Sequence, residues 1–331
     1  MPVARLSPAT LSAVRVTLPG LGVIAVAVAL SLAVNRLVPA VSPLTGAVVL
    51  GVLVGNLPVL PESARPGLKW ATRRFLRAGV VLLGVQLSVA QVLQLGGGML
   101  LVVLVTVLTT FFGTVLLGRL LGLPRGLTLM VSTGFSICGA SAVAAVEGIV
   151  EREESEVATA VGLVTLFGSV SMLVLPLLAD GVELGMWAGA SVHEVAQVVA
   201  AASPAGAAAV AAAVVVKLSR VVLLAPLAAG LSIAERRRRP AAEGGRPPLI
   251  PLFVLGFLAM VVVRSTELFP EAWVPMTKDV TGLLLAGALF GLGSGVRVRS
   301  LAKTGPKALV LGLGSTLLVT LVAYTGVRLL G

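Results

Sequence analysis

Residues 78–118, AGVVLLGVQLSVAQVLQLGGGMLLVVLVTVLTTFFGTVLLG, decide how this chain folds, because they run for 41 residues without a charge. About 20 apolar residues suffice for a helix to cross a bilayer core, so the run holds two crossings. Gly96-Gly97-Gly98 divides it at its middle, where glycine least supports a continuous helix.

Outward from that run, uncharged stretches of spanning length recur at 16–35, 37–61, 126–146, 157–179, 195–216, 247–263, 280–296 and 308–327. The pattern predicts an all-α polytopic membrane protein of about eleven transmembrane helices. They fall near 18–37, 42–58, 76–95, 99–121, 126–147, 157–178, 185–203, 206–232, 249–266, 279–295 and 307–328. Composition agrees: 57% of residues are hydrophobic and 12% charged, more apolar surface than a water-soluble domain can hide. No connector is long enough to bury a core of its own, so 1–331 reads as one integral membrane domain with a basic cytoplasmic loop near 233–248.

Lysine and arginine are retained on the cytoplasmic side of short loops. With the N-terminus cytoplasmic, the inside segments carry 18 of the 25 basic residues, and an odd number of spans leaves the C-terminus outside, in a cell inner membrane. This assignment places Glu147–Glu156 outside and Asp180 and Glu183 inside. The net charge of +11 is then a topology signal that also faces membrane lipid. It is not read as a nucleic-acid surface, since aromatics are only 4% of the residues and such surfaces interleave them with the basic ones. The apolar run 21–34 after Arg5 and Arg15 is read as a retained first span rather than a cleaved signal. The single cysteine, Cys138, leaves no internal disulfide to form.

Two self-similarities are visible. Leu-x-Ala-Gly occurs at 76–79 and 284–287, and Arg-Leu-Leu-Gly at 119–122 and 328–331, offsets of 208 and 209 that join spans of opposite direction. A second pairing sets the fifth span against the tenth, through Phe135 before a Ser/Cys/Gly cluster and Phe290 before Gly291-Leu-Gly293-Ser294-Gly295. Inverted repeats with interrupted helices are the sequence pointer to a transport site at the midplane.

Polar and ionisable residues at bilayer depth give the candidate site. Ser136-Ile-Cys138-Gly139-Ala-Ser141 interrupts the fifth span with small and hydroxyl-bearing residues. An unwound turn there exposes backbone N–H groups to an anion, whereas an unbroken turn serves close helix packing. Gly291, Gly293 and Ser294 allow the same choice late in the tenth span. His193 and Glu194 lie inside the seventh span with Gln197 one turn beyond, and buried ionisable groups of that kind are costly and usually functional. Lys217 sits halfway along the eighth span, with Glu194 as its expected partner and a bound substrate anion as the alternative, and Arg220, one turn nearer the cytoplasm, is expected to snorkel to the surface. Gln86 and Asn56 are read as helix-to-helix hydrogen bonders. Position 197 is Gln, so the zinc motif His-Glu-x-x-His is not completed. Neither a metal nor another cofactor is called for.

Three of these stretches carry a resemblance. Ser-Ile-Cys-Gly-Ala-Ser-Ala-Val-Ala-Ala-Val-Glu at 136–147, Ser-Val-His-Glu-Val-Ala-Gln-Val-Val-Ala-Ala at 191–201 and Val-Lys-Leu-Ser-Arg-Val-Val-Leu-Leu-Ala-Pro at 216–226 are similar to the YeiH-type family of bacteria, which carries the label sulfate exporter. The resemblance runs from the second span to the C-terminus. It groups the chain with bile-acid, arsenite and riboflavin transporters, and implies inverted repeats with broken, crossing helices.

The expected function is secondary transport of a small anion such as sulfate or a sulfonate, with no enzymatic step. Ser136, Cys138, Gly139, Ser141, His193, Gln197, Lys217, Gly291, Gly293 and Ser294 are the candidate substrate contacts, and His193 with Glu194 the proton-coupling pair. A homo-oligomer is compatible with this reading. The alternatives are an ion-coupled carrier of another solute and, from a different class, an intramembrane hydrolase pairing Ser141 with His193.

Overall fold

In the computed structural model, residues 8–38, 43–238, 250–266, 269–295 and 306–331 are described. They are helical almost throughout, as lipid requires of a chain that must satisfy its own backbone hydrogen bonds. The basic residues expected at 239–248 and 296–305 lie outside the described residues.

The helices are α1 (Pro8–Leu37), α2 (Pro43–Asn56), α3 (Arg65–Leu83), α4 (Val89–Gln94), α5 (Gly96–Leu120), α6 (Arg125–Ser136) and α7 (Ala140–Val146). After them come α8 (Glu154–Val174), α9 (Gly181–Ser191), α10 (Val195–Ala202), α11 (Ala207–Val222) and α12 (Leu224–Arg238). The last three are α13 (Leu252–Ser265), α14 (Val274–Gly295) and α15 (Pro306–Leu330). The glycine run does divide 78–118, since α5 begins at Gly96, whose φ is +78°.

The fifth and seventh apolar segments are helical but do not cross. α6 and α7 form a hairpin that leaves and returns to one face. A Cβ added to Gly126, at the start of α6, would stand 2.4 Å from Glu156 Oε2 and 2.5 Å from Glu151 O, beyond the end of α7. α9 and α10 form a second hairpin from the opposite face. Gly185, near the start of α9, packs on Ala209 at the start of α11, which follows α10 directly. The 21 residues of 126–146 look like one span in hydropathy because two half-membrane helices and a turn have the same composition as one crossing.

That geometry corrects the loop assignment. Lys69 is ion-paired with Glu154, and Arg125 with Glu235, so Glu147–Glu156 shares a face with the basic start of α3. Asp180 and Glu183 lie on the other face, where Glu183 meets Arg328 at 3.2 Å. Two hairpins replace two crossings, so the first part of α1, packed on the start of α3, and the end of α15 lie on opposite faces.

The third segment also differs. α3 starts at Arg65 rather than 76, taking up most of the expected basic connector, and gives way at 84–88 to a short 3-10 turn and an extended Leu87.

The segments joined by the offsets of 208 and 209 lie on helices that pack against each other antiparallel. α5 lies along α15, with Gly98 against Leu330, Gly326 against Val102, and Thr114 Oγ1 bonded to Ser315 Oγ at 2.9 Å. α3 opposes α14 through Gly79 on Leu285 and Gly291 on Thr72. The partner of the broken fifth segment is the seventh, however, not the tenth. α14 is continuous through Gly291–Gly295, because these small residues let α2 approach: a Cβ on Gly293 would stand 2.5 Å from Val48 O.

Candidate functional site

The tips of the two hairpins meet deep in the protein. At the first tip the α-helical ladder stops at Ser136, and Gly139 (φ +74°, ψ −135°) starts α7 in a conformation reserved for glycine. At the second, Val192 and Glu194 are extended and α10 begins with a capping box. The Glu194 carboxylate accepts from the backbone N–H of Gln197, and Gln197 Oε1 accepts from the Glu194 N–H at 3.2 Å.

α6 and α9 point their carbonyl ends at the midplane, where half-helix dipoles leave partial negative charge. α11 answers both with two cations. Lys217 Nζ donates to Ile137 O at 2.5 Å and Val192 O at 2.8 Å. Arg220 donates to Phe135 O at 3.0 Å, to Ser136 O at 2.7 Å and to Val192 O at 3.3 Å. Both side chains are 0% exposed. The pairing of Lys217 with Glu194 is not formed, and Arg220 does not reach the surface. The orphan carbonyls of two interrupted helices outcompete a carboxylate for these donors.

The positive ends of α7 and α10 face the other way. The Glu194 carboxylate lies between them, accepting from Gln197 N–H and packed on Gly139 at the start of α7. Its Oε1 has no hydrogen-bond partner, although the residue is only 8% exposed. It borders a cavity of about 40 Å³ together with Cys138, Ser141, Leu76 and Leu289. Such a volume holds a few waters and not a hydrated oxyanion.

Leu76 also borders a vestibule of about 490 Å³ that opens on the basic face between α3, α14 and the α7–α8 turn. Leu76 is thus common to the walls of the two spaces.

The candidates read from the sequence divide accordingly. Cys138 and Ser141 border the small cavity, and Gly139 packs directly on Glu194. Gly291 and Ser294 line the vestibule, and Gly293 is a packing residue. Ser136 bonds Thr133 O at 3.3 Å behind the tip, and Gln197 is held by Thr165 O and Ser169 Oγ at 3.4 Å each. His193 is 0% exposed, its ring edge-on to Phe135 at 4.4 Å, with neither ring nitrogen hydrogen-bonded. The Ser141–His193 pair is not formed, because Ser141 Oγ donates to Cys138 O at 3.0 Å. Sequence reasoning missed the cations of α3 as vestibule residues, although their spacing of four was available as a signal.

Residues 19–312 match the sequence profile of a family described as Conserved hypothetical protein 698. A UPF0324 membrane protein of Corynebacterium glutamicum is 46% identical over 317 residues, covering 94% of this chain and 92% of the relative. The UPF0324 inner membrane protein YeiH of Salmonella typhi is 34% identical over 312 residues, 89% of each chain. A UPF0324 membrane protein of Pseudomonas aeruginosa is 35% identical over 288 residues, 82% of this chain and 81% of its own.

Proposed function

Since this chain belongs to the UPF0324 family of membrane proteins, YeiH among them, we propose that it is a secondary carrier of a small anion such as sulfate or a sulfonate, coupled to protons through Glu194. One observation supports the reading: two hairpins enter from opposite faces and meet at a buried carboxylate that borders a small cavity, one wall of which is shared with an open vestibule. A carboxylate kept at bilayer depth is costly and usually functional.

In the ionised state Glu194 itself is the anion held by the N–H groups at the start of α10, with the start of α7 beside it. A proton on Glu194 removes that charge and frees those N–H donors, so an arriving anion replaces one negative charge with another. Proton and anion then occupy the tip together, so the step is electrically neutral for a sulfonate monoanion and carries one net negative charge for the sulfate dianion. Cys138 and Ser141 offer weak polar contacts beside it. The solute passes unchanged, with no enzymatic step. The basic face, with Arg65, Lys69, Arg125 and Arg152, is assigned to the cytoplasm by the retention of basic residues there, in a cell inner membrane.

The test is uptake of labelled sulfate into vesicles reconstituted with the protein, with and without a pH gradient. Saturable uptake that follows the gradient is expected. Flux no greater than that of empty vesicles, for sulfate and simple sulfonates alike, removes the proposal.

The free Oε1 of Glu194 favours one second reading, a bound cation as the coupling ion. Replacing the pH gradient by a sodium gradient separates the two.

A further inference from the structure

We propose, resting on the carrier reading above, that the cation ladder Arg65, Lys69, Arg73 and Arg77 on α3 is a binding track for a soluble oxyanion, with Glu147 and Glu154 as resident anions that the ligand displaces. The four residues recur every four positions, so they form one stripe along the helix, extending over about 18 Å at 1.5 Å per residue. All four are exposed and line the vestibule. The stripe runs from the mouth of the vestibule to the turn that holds Leu76.

The opposite wall supplies the acids. Lys69 is paired with Glu154, and Glu147 stands 3.8 Å from both Arg73 and Arg152. Counting Arg152, five cations and two carboxylates line the space, a surplus of three positive charges. Among the described residues, Arg65 and Arg77 have no carboxylate partner. The Glu147 carboxylate is partly buried but its contacts are long, at 3.8 Å, and the Lys69–Glu154 pair is exposed, so an oxyanion that takes both forks of a guanidinium can displace these acids. Low-dielectric walls concentrate the field of the surplus charge.

Size points to the same place. The cavity at the hairpin tips is about 40 Å³ and the vestibule about 490 Å³, so of these two spaces the vestibule is the one with room for the solute in this conformation. Arg74 is the natural control, because it stacks over Trp70 at 4.6 Å and does not line the vestibule.

An oxyanion could reach this track from solution or as a lipid headgroup, and the experiment separates them. The full chain is placed in nanodiscs of neutral phosphatidylcholine and treated with phenylglyoxal, and the modification of each arginine is read by peptide mass spectrometry. Inorganic sulfate should slow modification of Arg73 and Arg77 by about threefold or more relative to chloride at matched ionic strength, the range of a solvated ion pair. Arg74 should be unaffected, and Glu147→Gln should lower the sulfate concentration that gives half protection.

Equal rates in sulfate and chloride, or equal slowing of Arg74, overturn the proposal. So does protection by discs containing phosphatidylglycerol with none by sulfate, which would make the track a lipid site. Protection with no vesicle flux removes the carrier reading and leaves the track, whereas flux without protection removes the track alone.

Discussion

The guanidinium of Arg220 gives two hydrogen bonds to the single carbonyl oxygen of Ser136, from Nε at 3.1 Å and from Nη2 at 2.7 Å. Ser136 ends α6, and nothing continues the helix beyond it to take that carbonyl. A broken helix in a membrane is stable only where its freed backbone groups find partners inside the protein, and α11 delivers them to both hairpins at once.

Arg220→Met should therefore act on stability before transport. Charge-assisted hydrogen bonds contribute roughly 1.5–3 kcal/mol each, so a loss of about 3 kcal/mol or more is expected, read as a lowered Tm of the detergent-solubilised protein. Lys217→Met should behave alike. Unfolding of both variants at the wild-type temperature would show that the caps do not hold the hairpins.

Glu194→Gln should fold, because the amide oxygen can still accept from Gln197 N–H. It cannot release a proton. Uptake by this variant should lose its dependence on the pH gradient, and gradient-driven uptake at the wild-type level would sink the proton-coupling role.

Gly139→Ala meets two obstacles. Its φ of +74° is strained for any side chain, at about 1–3 kcal/mol, and the new Cβ would stand 2.6 Å from Glu194 Cγ. A lowered Tm together with reduced uptake is expected. A variant with wild-type Tm would mean that the tip is not held as described.

The hairpin topology can be read directly, because Cys138 is the only cysteine. In a Cys138→Ser background, Lys69→Cys and Glu154→Cys should react with an impermeant maleimide from the same side of the membrane, and Glu183→Cys from the other. Labelling of positions 69 and 154 from opposite sides would restore a true crossing at 126–146.

Glu156, on the basic face, has its carboxyl pushed up from the usual range by burial against the start of α6. A raised folded-state value means that the folded protein takes up the proton first as pH falls. The penalty is thus full at neutral pH and disappears below the ordinary carboxylate range. Glu156→Gln should raise Tm by about 1 °C at neutral pH, with the gap closing on acidification. A gap that widens in acid would contradict the burial.

Much of the fold was legible because hydropathy is a local property. Each apolar segment is helical, the break at Ile137–Gly139 falls within the small-residue run, and the offsets of 208 and 209 do join antiparallel helices. What misled was equally local. Gly291 and Gly293 look like a break but serve packing, and Lys217 beside Glu194 looks like an ion pair but caps carbonyls. A glycine that loosens a helix and one that admits a neighbour are identical in a list of residues.

From the residues alone come the membrane, the helices and the depth of the polar groups, because the cost of burying charge or backbone in lipid depends on the segment itself. Whether an apolar segment of 21 residues crosses or turns back, and whether a buried cation meets a carboxylate or a carbonyl, was decided by packing. Those outcomes depend on which orphan groups distant segments bring together, and spacing along the chain does not encode that.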